Sequence, residues 1–118
     1  MKVQLQGQSL RLRIGEDELA RLLAGERVEN ATTAGVGAIL RHRLRMVAGD
    51  VPTFDAEQAW DFGLPEAAVR DYVSRLPCRD ALEFTLPCSD TALMLSFEVD
   101  VRDSVRRRGP PARRRPPA

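Results

Sequence analysis

Residues 3–28 alternate, turn, alternate again and then change period, and this succession constrains the fold more than any other stretch. Val3 and Leu5 alternate with Lys2, Gln4 and Gln6, while Leu10, Leu12 and Ile14 alternate with Ser9, Arg11 and Arg13. An apolar period of two marks a strand with one wet face. Gly7-Gln8 suits a tight hairpin, whose first central residue needs positive φ. Antiparallel strands are therefore expected over 2–6 and 9–14. Glu16, Asp17 and Glu18 then favour a helix N-terminus, Leu19, Leu22 and Leu23 share a helical face, and Gly25 suits a left-handed stop. A helix over 16–24 is too short to persist alone, so its leucines must lie on a sheet.

The rest of the chain repeats these signals less cleanly. Arg27-Val28-Glu29 restarts an extended segment, and Thr32–Gly37 reads as a turn. The run ILRHRLRMV reads as a strand with Arg41, Arg43 and Arg45 on one face and Leu40, His42, Leu44 and Met46 on the other, although Arg and Leu also favour helices. Residues 51–55 and 58–64 suggest a second hairpin around Ala56-Glu57. Pro65 suits a helix's first turn, Val69, Tyr72, Val73 and Leu76 form its apolar face, and Pro77 ends it, giving a helix over 65–75. Leu82–Leu86 and Ala92–Val101 alternate as strands. The expected class is α+β, a mostly antiparallel sheet of six to seven strands covered by two short helices. Residues 1–102 form the expected domain, and the Arg/Pro-rich tail over 103–118 is expected to be disordered.

At an offset of 50, Glu16 aligns with Glu66, Leu19 with Val69, Leu22 with Tyr72 and Leu23 with Val73. Either a ββαβ unit is duplicated, or two strand–helix–strand units look alike once their apolar positions are aligned.

The opening MKVQLQGQSLRLRI resembles that of a family of small bacterial proteins without an assigned function. Members begin Met-Lys-Ile-x-Ile-x-Gly-Asn-Ser-Ile/Leu-Arg-Leu-Arg-Leu and continue into a short acidic helix. The likeness is closest over residues 1–29, and the order of elements is similar to about residue 101. Gln8 replaces the usual Asn, and Gly15 the usual Thr. The segment FEVDVRD stands where the family tends to have Lys-Asp-Phe-x-Cys. The resemblance implies a shared fold and assigns no activity.

With 118 residues and 43% hydrophobic content, the chain suits one modest core. No run of ~7–15 apolar residues follows Lys2 as a secretory signal would, and none nears the ~18 residues of a membrane span. A cytoplasmic protein without membrane contact is expected. The net charge of +1 hides an asymmetry: Arg106, Arg107, Arg108, Arg113, Arg114 and Arg115 lie in the tail, leaving 12 basic against 17 acidic residues, or −5.

No catalytic, cofactor or metal constellation stands out. Cys78 and Cys88 occur in LPCRD and LPCSD at opposite ends of an expected strand, too far apart to pair. Two cysteines and one histidine are a poor zinc set. His42 lies on the apolar face of its strand, where a core or interface role is expected before a catalytic one. The candidate anion- or partner-binding residues are Arg11, Arg13, Arg41, Arg43 and Arg45, which would form one plate if their strands were neighbours, together with the six tail arginines. Glu29, Glu57, Asp61, Glu83 and Glu98 could neutralise such a plate.

The expected function is that of a small non-catalytic interaction module, meeting an unknown protein or a second copy through a sheet face or free edge strand. The alternative is nucleic-acid association through the arginines. A third reading, an enzyme of unfamiliar type, would require a pocket joining His42, a cysteine and a carboxylate.

Overall fold

A computed structural model of the chain describes residues 1–101. The first half contains β1 (Lys2–Gln6), β2 (Ser9–Ile14), α1 (Glu16–Leu23), β3 (Val28–Ala34) and β4 (Ala38–Val47). The second contains β5 (Thr53–Asp55), β6 (Trp60–Pro65), α2 (Glu66–Ser74), β7 (Leu82–Pro87) and β8 (Ala92–Val99). The boundary expected at residue 102 and the tail beyond it, with its arginines 106–108 and 113–115, lie outside the described residues.

The class is α+β, but the single sheet of six to seven strands needs correction, and the expected antiparallel pairing holds only in part. Among the described residues, eight strands form two four-stranded sheets, ordered β1-β2-β8-β7 and β3-β4-β6-β5. The outer pairs of each sheet are antiparallel. The central pairs are parallel, with Leu12 opposite Phe97 in β2–β8 and Leu44 opposite Phe62 in β4–β6. Alternation reveals which face of a strand is wet, but not its neighbour or that neighbour's direction. The order hairpin, helix, hairpin occurs twice along the chain, and each sheet takes one hairpin from each half.

Inward side chains of both sheets and both helices share one core. Leu12, Leu22, Leu44, Phe62, Val69 and Phe97 are fully buried in it. The leucine face of α1 settles as its length requires: Leu22 is buried, while Leu19 and Leu23 are half-buried against the core. Tyr72 of α2 meets Phe97 of β8 edge-on, with ring centroids 5.9 Å apart. The guanidinium of Arg70 in α2 joins the helices, donating to Glu66 Oε2 at 2.8 Å and to the Leu23 carbonyl at 3.0 Å.

Helix α1 begins on charge. The Gly15 N–H donates to Glu18 Oε1 at 3.1 Å, and the Met1 ammonium donates to Glu18 Oε2 at 2.5 Å. Burial pushes the Glu18 carboxyl up, but these donors outweigh it and hold the group below its ordinary value.

Two local expectations also need correction. Thr32, Thr33 and Ala34 belong to β3, pairing with Leu40, Ile39 and Ala38. β-Branched threonine fits a pleated strand, and the turn is confined to Gly35–Gly37, whose glycines take φ 65° and 78°. Pro65 closes β6 opposite Val47 and caps α2 instead of occupying its first turn.

Gly63 lies in central strand β6, with its flanking side chains turned inward. A Cβ added there would overlap Thr53 Oγ1 and Val47 Cγ1. Gly63→Ala should therefore lower stability by ~1–3 kcal/mol, the usual range for overpacking, measurable by urea denaturation. Because neither half contains a complete sheet, separately expressed segments 1–50 and 51–118 should each lack cooperative structure. Mixing them should restore strand circular dichroism and a cooperative melt.

Candidate interaction site

Helix α1 follows β2 and α2 follows β6, and both pack against β4 at one end of the sandwich. At the opposite end no helix occurs among the described residues. There, the β1–β2 turn, β5, the start of β6 and the β7–β8 turn surround a cleft of about 290 Å³. Leu5, Gln8, Phe54, Trp60, Leu86 and Leu93 are among its lining residues, and none of the lining residues is charged. Large apolar side chains stay open to solvent at this mouth: Leu5 is 53% exposed, Phe54 44% and Trp60 39%.

The sheet-side wall of the cleft is aromatic and braced. Phe54 and Trp60 meet at 85° with centroids 5.6 Å apart, and Phe54 lies 5.2 Å from Phe62 beneath. Such ring pairs each add ~0.5–1.5 kcal/mol beyond area burial, so the exposed rings are held in place. His42 stands behind Trp60, edge to face at 6.0 Å. It is 3% exposed, and neither ring nitrogen has a hydrogen-bond partner among the described residues. Burial holds its pKa below the ordinary value. Burial thus disfavours the protonated ring, and no hydrogen-bonding group among the described residues orients it for acid–base work. Cys88 is an exposed free thiol at the rim, and Cys78 is free and half-buried elsewhere. No group of three or more metal-ligating side chains occurs among the described residues.

A hairpin arm adjoins the cleft. His42 pairs with Trp60, the first residue of β6, so the preceding residues of β4 and their partners in β3 extend beyond that strand. Residues 31–40, ATTAGVGAIL, are all exposed and contain no charge. In a chain that is 30% charged, such a run is unusual. Val36 stands fully in solvent at the tip, while Ile39 and Leu40 are 52% and 51% exposed. Leu40 shares the inner face of the sheet with His42 and Leu44, which makes the arm a shelf continuing the wall of the cleft.

The arginines do not assemble into one plate. Arg11 and Arg13 stand on the outer face of one sheet, and Arg41, Arg43 and Arg45 on the outer face of the other. Glu29 accepts from both Arg41 and Arg43 at 2.8 Å. These bonds, led by the one from Arg43, hold its carboxyl below the usual carboxylate range. Asp61 pairs with Arg27 at 3.3 Å and faces Arg45 at 3.7 Å, too long for a hydrogen bond. Arg13 meets Glu98 at 2.9 Å. Arg11 shares a shallow trough of about 680 Å³ with Gln4, Gln6, Glu83 and Ser96. Glu57 lies in a separate recess beside Arg27 and Arg43.

The mouth was not among the sites expected from sequence. Trp60, Phe62 and Leu64 alternate with Asp61 and Gly63, but alternation does not show that the outer member of the row lies past the end of the core. The uncharged decapeptide was a visible signal, obscured because part of it read as a turn.

No protein-family model matches the sequence, and the searches found no similar curated protein and no similar solved structure. Among the described residues, no helix is long and apolar enough to cross a membrane.

His42 supplies a test of the packing beneath the mouth. Its folded-state pKa is depressed relative to 6.5, so the unfolded chain binds the extra proton first. Stability should be fully present above about pH 6.5 and decline as the pH falls through the depressed value. His42→Leu, which removes both unpaired nitrogens, should flatten the stability profile between about pH 7 and 5 and change stability at pH 8 by less than ~1.5 kcal/mol. Denaturant melts across this range would show it.

Proposed function

We propose that the protein is a non-catalytic interaction module working through its open end. The observation that carries this reading is the juxtaposition of an uncharged cleft, exposing Leu5, Phe54 and Trp60, with an uncharged arm exposing Val36, Ile39 and Leu40. Exposed apolar area favours association by ~25 cal/mol per Å² removed from water, and contiguous patches of this kind are typical of binding surfaces. His42, buried and facing no carboxylate that shifts its pKa, gives the site no acid–base pair.

The nucleic-acid alternative draws less support from the geometry. Its strand arginines are divided between opposite faces and largely engaged by Glu29, Asp61 and Glu98. Membership of the small bacterial family is part of the proposal and rests on the opening motif. The proposal also includes internal duplication of a hairpin–helix–hairpin unit, supported by the offset of 50 between the helices and the twofold recurrence of elements.

Capture from native-cell extract, using the tagged full chain, tests the module. Trp60→Lys and Leu5→Lys, each checked for a native melt, should abolish the recovered complexes, whereas Arg41→Glu should retain them. Complexes indifferent to the two mouth variants but lost with Arg41→Glu, or dissolved by moderate salt with release of nucleic acid, would overturn the reading in favour of the arginine surface.

A further inference from the structure

We infer that the module's partner is a second copy of this chain, with the β3–β4 arm of each copy closing over the cleft of the other. The inference rests on the preceding reading of the open end as an interaction surface and assigns the occupant.

Among the described residues the two sheets have four free edges, β1, β7, β3 and β5. A sheet edge exposes unpaired backbone donors and acceptors, and natural proteins blunt it with charge, proline or brevity. Strand β5 has three residues and ends at Asp55. Strand β7 contains Glu83 and ends at Pro87. Strand β1 begins at Lys2. Strand β3 continues for five residues after Glu29, Asn-Ala-Thr-Thr-Ala, with neither charge nor proline. β1 offers four such residues after Lys2, so the longest uncharged, proline-free edge run is the one that builds the arm.

Among the described residues, the arm also lacks an intramolecular partner. It continues its sheet outward past Trp60 and remains exposed on both faces, so it does not fold back over its own cleft. The cleft, for its part, has no cover among the described residues. A foreign protein would have to supply both an apolar insert for the cleft and an apolar receptor for the arm. A second copy supplies both in one twofold contact, since in an isologous dimer each surface meets its complement. Two open ends facing one another place each arm across the other's mouth. Leu40 and Val36 of one copy can then cover Leu5, Trp60 and Cys88 of the other, removing large apolar side chains from water on both copies. Neither member of this contact carries a charge requiring desolvation.

Trp60, the protein's single tryptophan, lies inside the proposed contact. Full-length protein is examined by sedimentation equilibrium over a dilution series. Trp60 emission and iodoacetamide labelling of Cys88, located by mass spectrometry, are followed in parallel. The expected result is a dimer at micromolar concentration whose dissociation shifts Trp60 emission to the red and speeds Cys88 labelling in step. Val36→Asp and Ile39→Lys, both at exposed arm positions, should weaken the dimer by ~10-fold or more while leaving the melting temperature of the dissociated monomer, read at high dilution, unchanged. Val51→Asp, an equally conservative test at an exposed site after β4, should leave it intact.

A wild-type monomer throughout would overturn self-association, while the extract capture with Trp60→Lys would still decide the broader interaction reading. A dimer that survives both arm variants, with emission and labelling unchanged on dilution, would place the interface elsewhere and equally overturn the inference.

Discussion

The structure depends on two parallel strand pairings, β2 with β8 and β4 with β6. Each joins the first half of the chain to the second at the centre of a sheet. Hairpins close locally and at little entropic cost, but an isolated two-stranded hairpin is marginal in water. Only the parallel seams turn four marginal hairpins into two four-stranded sheets with apolar inner faces. Leu10, Leu12 and Ile14 lie along one seam opposite Leu95, Phe97 and Val99. Leu44 and Met46 lie along the other opposite Phe62 and Leu64. These rows supply much of the core against which the helices pack.

The same pairings determine which end is closed. Each helix follows the seam strand contributed by the first hairpin of its half, and both helices reach β4. Two helices of eight and nine residues can cover one end, with Leu22, Val69 and Tyr72 inserted between the sheets. Among the described residues nothing comparable covers the other end, where the connections are tight turns. The apolar rows nevertheless continue outward, through Trp60 and Phe54 on one sheet and Leu5 on the other. An open mouth is thus a consequence of the topology, whereas its lack of charge is a feature of this particular sequence.

Much of this fold was legible because strand and helix periods are local. The alternations at Leu10–Ile14 and Leu93–Val99 identified inward faces, and the spacing of Leu19, Leu22 and Leu23 located α1. Sheet membership was not legible. The side-chain pattern of Arg11 and Arg13 is compatible with a place beside Arg41, Arg43 and Arg45, yet β2 and β4 fall in different sheets. Partner choice arises from long-range packing, which neither strand's own period encodes. Thr32-Thr33 failed as a turn for a different reason. The turn signal of the following glycines extends only to Gly35 and Gly37, which need positive φ, and not to the threonines before them. That error concealed the arm, because shortening β3 makes its uncharged residues look like a loop.

The distribution of charge gives the open end its physical distinction. On the outer sheet faces, carboxylates answer the strand arginines across neighbouring strands, with Glu29 between Arg41 and Arg43 and Glu98 beside Arg13. Exposed pairs of this kind contribute little stability each. They do keep these faces well hydrated and discourage apolar association. At the mouth the pattern reverses: charge stops at Glu29 and Arg41, and the ten residues between Asn30 and Arg41 carry none. Solubility alone would favour lysine or glutamate on a projecting hairpin, where the fold imposes no apolar requirement. Valine, isoleucine and leucine at such positions contribute little to the isolated fold, but they fit a surface that leaves water when a partner arrives.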